Sequence, residues 1–305
     1  MSLLALLAAP AVEAKPPKCG PDQVPVGTTC VDKFEASVWS IPAAQTRLIE
    51  KVQDGKATLA DLTAGGASQV APSDNTCFFP GFPATFPITG NWIAPLYAAS
   101  VAGVLPTACV SWFQAEQACA LSGKRLLTNQ EWQRAAAGTV DPGSNDGSAN
   151  TMCNTTTGPI GPGPRITGNA GATPGGATSC ISNWGAEDMV GNVWEWVGDW
   201  GDLAGGCTIW LGGFGSDRSC IGDGTATGTT QPGAVVRGGN WLEQTFAGVF
   251  AVDGSSPPST ISNGIGFRCA LVPFQRYRSN DVVPLIRLNR RSDDFVISPD
   301  RLERD

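Results

Sequence analysis

The sequence predicts an α+β fold, rich in loops, with two main helices and short antiparallel strands. Three observations predict it. Glycine (38) and proline (23) make up a fifth of the 305 residues, while a 42% hydrophobic content is too high for disorder. Ser111 with Gln114 and Thr128 with Glu131 each form the capping-box pattern of a helix start. Residues 183–200, NWGAEDMVGNVWEWVGDW, hold four of the ten tryptophans on no clean helical or strand period, which marks a tightly turned centre with buried indoles.

Residues 1–14, MSLLALLAAPAVEA, run apolar into small residues before Lys15, as a secretory signal segment does, although its basic start is missing. A buried N-terminal strand or helix is the alternative. No later stretch reaches the roughly 18 unbroken apolar residues of a membrane span. Ten cysteines follow without a CxxC, and an even number in an exported chain reads as a disulfide framework. The local pairs Cys19–Cys30, Cys153–Cys180 and Cys207–Cys220 are expected; in a cytosolic chain the same residues would be small buried hydrophobes. Residues 15–271 read as one domain and 272–305 as a charged tail.

Residues 38–70 carry a helix pattern, QTRLIEKVQDGKATLADL, and no chemistry. Phe78, Phe79, Phe82 and Phe86 lie among prolines, as in a packed irregular loop. The first main helix buries Trp112, Ala115 and Cys119 and should stop at Gly123; the second buries Trp132, Ala135 and Ala136 and ends near Gly138. Lys124 and Arg125 between them are expected to be solvated or to complement a helix dipole. Residues 138–182 read as a long loop held by Cys153 and Cys180, with Asn154-Thr155-Thr156 a glycosylation sequon in a host that glycosylates.

Composition excludes several function classes. A net charge of -7 makes nucleic acid a poor partner. The chain has no histidine, which removes Ser-His-Asp and Cys-His catalysis, zinc hydrolysis and histidine-held iron. Asp188 and Glu195, with carbonyls of the turn between them, offer oxygen ligands only, the set that Ca2+ prefers. The plainer reading is that both acids cap turns and meet solvent.

GAEDMVGNVWEWVGDW resembles the signature of the formylglycine-generating-enzyme family of sulfatase-modifying domains. VSWFQAEQACALSGKRLLTNQEWQRAA (110–136), VVRGGNW (235–241) and IGFRCA (265–270) agree with it in order and spacing, and CGPDQVPVGTTCVDKFEAS (19–37) resembles the family's opening. The resemblance implies a C-type-lectin-like fold and a structural calcium held by Asp188, Glu195 and the carbonyls of Gly191 and Val193. It also implies two copper-binding cysteines soon after the RGGNW motif, and these are missing: after Trp241 no cysteine occurs until Cys269. The iron-dependent branch of the family needs histidines. No copper, iron or zinc is expected, and no enzyme activity of the family's kind.

The layout between RGGNW and IGFRCA resembles instead the variable proteins of diversity-generating retroelements. Those proteins display residues rewritten by adenine-directed mutagenesis around a fixed AGVFA segment, here 247–251. By position the rewritten, ligand-binding residues within the variable region 235–270 would be Leu242, Glu243, Gln244, Phe246, Asp253, Gly254, Ser255, Ser256, Thr260, Ser262 and Gly264. Ile261 is a further candidate. An AAC or AAT codon changed at its adenines cannot encode glutamate, so Glu243 needs another template codon. The reading is a non-catalytic protein, secreted or on the cell surface, that binds an unknown protein or cell-surface ligand through this face. The alternatives are an enzyme of the family with an atypical site, built on carboxylates and Arg237, or a fixed protein-interaction domain.

Overall fold

A computed structural model describes residues 17–72, 77, 81–90, 95–140, 153–155, 163–168, 180–203, 206–209, 217–220 and 232–271. The expected signal segment 1–14, the tail 272–305, Phe78 and Phe79 lie outside the described residues. In chain order the elements are β1 (Gln23–Val26), β2 (Thr29–Asp32), β3 (Ser37–Ser40), α1 (Thr46–Gln53), α2 (Leu59–Ala64), β4 (Ser68–Val70), β5 (Tyr97–Ala99), α3 (Trp112–Leu121), β6 (Arg125–Leu126), α4 (Asn129–Ala135), β7 (Trp194–Asp202), β8 (Thr208–Ile209), β9 (Arg218–Cys220), β10 (Pro232–Arg237), β11 (Val252–Ser256), β12 (Ile265–Phe267) and β13 (Cys269–Leu271).

Both capping boxes form. Ser111 Oγ accepts from Gln114 N while Gln114 Oε1 accepts from Ser111 N, and Thr128 and Glu131 repeat the exchange at α4. The 38–70 pattern resolves into two short helices, α1 and α2, because the chain turns at Gly55 (φ +64°). Thr58 and Asp61 then cap α2 with a third capping box.

Among the described residues the strands form three sheets. An antiparallel sheet has the order β1-β2-β13-β6, and a small one has the order β4-β3-β5. The largest has the order β12-β7-β10-β11-β9-β8 and is mixed, since β12 runs parallel to β7 and β9 parallel to β11. The remaining strand pairs are antiparallel, as expected. The tryptophan-rich stretch departs from the reading of a broken segment, for β7 is a nine-residue strand that passes through Gly198. Its first four residues are buried and its last five exposed, so no alternation marks it in the sequence. Of the four indoles in this stretch, Trp194 and Trp196 are buried, whereas Trp184 (40%) and Trp200 (43%) are exposed.

One core packs the large sheet against α3, with Trp196, Phe267, Ala115 and Cys119 inside it. A second joins Trp132 and Ala135 of α4 to Met189, Val197 and Val252. Five disulfides use all ten cysteines: the three local pairs, together with Cys77–Cys109 and Cys119–Cys269. Lys124 is not solvated; its ammonium sits 2.6 Å from the buried carboxylate of Asp32, which needs a counter-charge in the interior. Arg125 pairs with Glu131 at 2.7 Å.

Candidate ligand-binding face

The region between β10 and β12 divides into a held backbone and a free surface. Gly238 (φ +92°) and Gly239 (φ +84°) turn the chain after β10 in a conformation that favours glycine. A side chain on Gly239 would overlap Ala247, and one on Gly248 would overlap the Asp217 carboxylate. The AGVFA run is gripped from three sides. Gly248 N donates to Gly238 O (3.1 Å), Gly238 N to Ala251 O (3.2 Å), and Phe250 N to Asp217 Oδ2 (2.7 Å). Buried Arg237 donates to the carbonyls of Ala251 (2.8 Å), Phe250 (3.3 Å) and Val249 (3.3 Å), and to Gln133 Oε1, with its guanidinium 4.5 Å from the Trp132 ring. Burial lowers its pKa to about 10. Arg237 therefore holds the frame.

Around that frame the expected variable residues separate by exposure. Leu242 (50%), Phe246 (43%) and Ile261 (44%) are exposed apolar side chains, and Gln244 and Ser255 are exposed polar ones. Glu243, Ser256, Thr260 and Ser262 are half-buried. Asp253, Gly254 and Gly264 are buried, which corrects the expectation that all these positions face outward. Asp253 lies inside β11, where its Oδ1 accepts from Ser255 N (2.7 Å) and Oγ (2.6 Å). Gly254 presents its carbonyl against Gly233, and a side chain on Gly264 would run into Asn240. Gly264 O also accepts from Trp194 N at 2.8 Å.

Sequence reasoning missed Arg218. From β9 it reaches Glu243 (3.5 Å) and Asp253 (3.9 Å), so one guanidinium joins the 242–246 loop to β11. Glu243 also accepts from Trp194 Nε1 at 3.3 Å. No motif surrounds Arg218, and only the folded chain brings it there. The sequon asparagine, Asn154, is buried and donates to Gly163 O (3.1 Å) and Asn192 Oδ1 (3.0 Å), so it is not presented for glycosylation.

The expected calcium ligands sit in the interior, within a cluster of acids. Asp188 is 1% exposed at φ +60°, and neither of its carboxylate oxygens has a hydrogen-bond partner. Glu195 is employed otherwise than expected. Arg268 donates to both its oxygens (Nε at 2.8 Å to each, Nη2 at 2.6 Å to Oε1), and Trp132 Nε1 donates to Oε2 at 2.7 Å. A carboxylate so occupied has its acceptor sites filled. Glu35, also missed by sequence reasoning, completes the group; its oxygens accept from Val193 N (3.1 Å) and Asn192 Nδ2. Burial, reinforced by Asp188 and Glu195, pushes the Glu35 carboxyl well above the usual range, and burial does the same to Asp188 against the pull of Arg268. Three buried carboxylates therefore lie near the one guanidinium of Arg268, which is hydrogen-bonded to Glu195. The free oxygens of Asp188 and this surplus of negative charge fit a hard cation; the saturated carboxylate of Glu195 does not.

Comparison with known proteins agrees with these motifs. The model of the sulfatase-modifying factor enzyme 1-like domain matches residues 94–272. The inactive C-alpha-formylglycine-generating enzyme 2 of Mus musculus is 31% identical over 177 residues, which is 54% of this chain and 49% of the mouse protein. The hercynine oxygenase of Mycobacterium tuberculosis is 37% identical over 99 residues, 30% of this chain and 21% of that protein. The chain thus spans half or less of the length of these relatives. Among solved structures, the Major Tropism Determinant I1 variant is matched with a TM-score of 0.44 and 18% identity over 82% of this chain and 52% of that one. With the matched region covering more than half of its residues and all four long motifs in place, the chain belongs to the sulfatase-modifying factor enzyme 1-like family.

Proposed function

We propose that this chain is a non-catalytic ligand-binding protein whose patch between RGGNW and IGFRCA is diversified by a retroelement, on a lectin-like scaffold that is secreted or displayed on the cell surface. One observation carries the reading: the backbone of 247–251 is held by Arg237, Gly238 and Asp217, while Leu242, Phe246 and Ile261 on either side of it stand exposed. A face can be rewritten only where side chains contribute little to the core and something else fixes the chain. Exposed aromatic and aliphatic anchors among adaptable serine and threonine are also the chemistry of antibody paratopes. Asp253, Gly254 and Gly264 fall outside the displayed set for the packing reasons given above.

A role unlike the family's oxidation is supported by the pairing of every cysteine, and that same disulfide content favours an oxidising compartment. Arg237, the centre of the enzymatic alternative, is occupied in holding backbone. No helix among the described residues is long and apolar enough to cross a membrane. Asp188 with the Gly191 and Val193 carbonyls would hold a structural Ca2+, whose contribution is to neutralise the buried carboxylates; Glu195 would join only by yielding Arg268.

The gene's surroundings provide the test. A near-copy of the codons for 235–270, with adenines at the exposed positions, should accompany a reverse transcriptase gene. Absence of both from the complete locus, or measured turnover of a thiol substrate by the purified protein, would overturn the proposal.

A further inference from the structure

Away from the 235–270 region, a cavity of about 260 Å3 opens between the N-terminal hairpin, the start of α2 and the segment after β5. Its walls are mostly apolar, with Phe34, Ala57, Leu59 and Val101 among them, and Ala102 stands exposed as part of the same lining. Asp22 also lines it. This residue is 7% exposed, and its Oδ1 is buried without a hydrogen-bond partner. An unpartnered buried carboxylate oxygen is costly, and native proteins seldom carry one without a reason.

The neighbouring cation does not supply that partner. Lys124 Nζ lies 2.6 Å from Asp32 Oδ1 and 4.0 Å from Asp22 Oδ2, and Asp32 takes a further hydrogen bond from Gln23. Two buried carboxylates share one ammonium, which leaves one negative charge in excess beside an apolar cavity whenever Asp22 is ionised. A ligand that meets both conditions has a positive head with N–H donors and a short hydrocarbon body. At this volume it is a fragment rather than a drug-sized molecule.

We propose that this cavity binds a small alkylammonium, whose charged head pairs with Asp22 while its chain lies against Phe34, Leu59 and Val101. Every lining residue precedes the 235–270 region, so the site does not change when that region does. It is a constant pocket on the same scaffold and does not depend on how the 242–264 face is used.

The test uses the full chain at pH 8, with n-pentylammonium, 1-pentanol and pentanoate followed by calorimetry and ligand-observed NMR. The ammonium should bind at least tenfold more tightly than the alcohol, and the carboxylate should not bind. Asp22→Asn should bring the ammonium down to the affinity of the alcohol without changing the latter. Ala102→Trp, at an exposed position of the lining, should block both while its melting temperature stays close to that of the parent chain. Equal affinity of ammonium and alcohol, an unchanged preference in Asp22→Asn, or no binding of any probe would overturn the proposal.

Discussion

At the scale of single residues, the packing around 238–264 separates positions that can change from positions that cannot. Leu242→Ser, Phe246→Ser and Ile261→Ser remove exposed side chains, so each should alter stability by no more than about 0.5 kcal/mol in denaturant titration. Gly239→Ala and Gly248→Ala force a methyl group against Ala247 and Asp217, and each should cost about 1–3 kcal/mol by the same measurement. Asp22 supports a prediction of a different kind. Burial raises its pKa to about 7, opposed by Lys124 and assisted by Asp32. The folded protein then holds a proton that the unfolded chain releases near pH 4, so the resulting stabilisation is complete below that pH and fades as the pH climbs through about 7. Asp22→Asn should therefore raise the melting temperature at pH 8 and leave it nearly unchanged at pH 4. Equal effects at the two pH values would contradict the shift.

At the scale of elements, what was legible depended on how local the determining contacts are. The helices could be read because a capping box spans four residues, as at Ser111 to Gln114. The local disulfides could be read because short loops close readily. Cys119–Cys269 could not, since 150 residues separate its ends and only the folded chain brings them together. The parallel partnership of β12 with β7 escaped for the same reason, and the two-sided burial of early β7 erased its alternation. At the candidate face, the motif-based reading assigned every position outward; which of them turn inward depends on Asn240, Gly233 and β11, none of which a one-dimensional pattern reveals. The long bridge supports a test at this scale. Replacing Cys119 and Cys269 together by alanine should cost about 2–5 kcal/mol in denaturant titration, because the unfolded chain loses a constraint on a long loop. A loss below about 1 kcal/mol would mean that packing alone holds α3 to β13.

At the scale of the whole molecule, the three sheets and α4 meet around a buried electrostatic centre. Glu35 follows β2, Asp188 and Glu195 flank the entry to β7, and Arg268 lies between β12 and β13. The expected calcium would act here on global stability. Ca2+ at a hundred times its dissociation constant should add about 2.7 kcal/mol, or about 5–10 °C in melting temperature for a domain of this size. Chelation should reverse the gain, and Asp188→Asn should abolish the response while still giving a cooperative transition. A melting curve indifferent to both calcium and chelator would remove the ion from the scaffold.

Arg268 has a consequence that reaches from protein to gene. Its guanidinium takes the carbonyls of Asp32, Lys33 and Glu187 together with the Glu195 carboxylate, so two distant stretches, 32–33 and 187–195, converge on a residue encoded just downstream of 242–264. A frameshift anywhere in that stretch deletes this guanidinium and the Cys269 thiol in one stroke. The garbled product cannot close, and only in-frame changes yield a folded molecule.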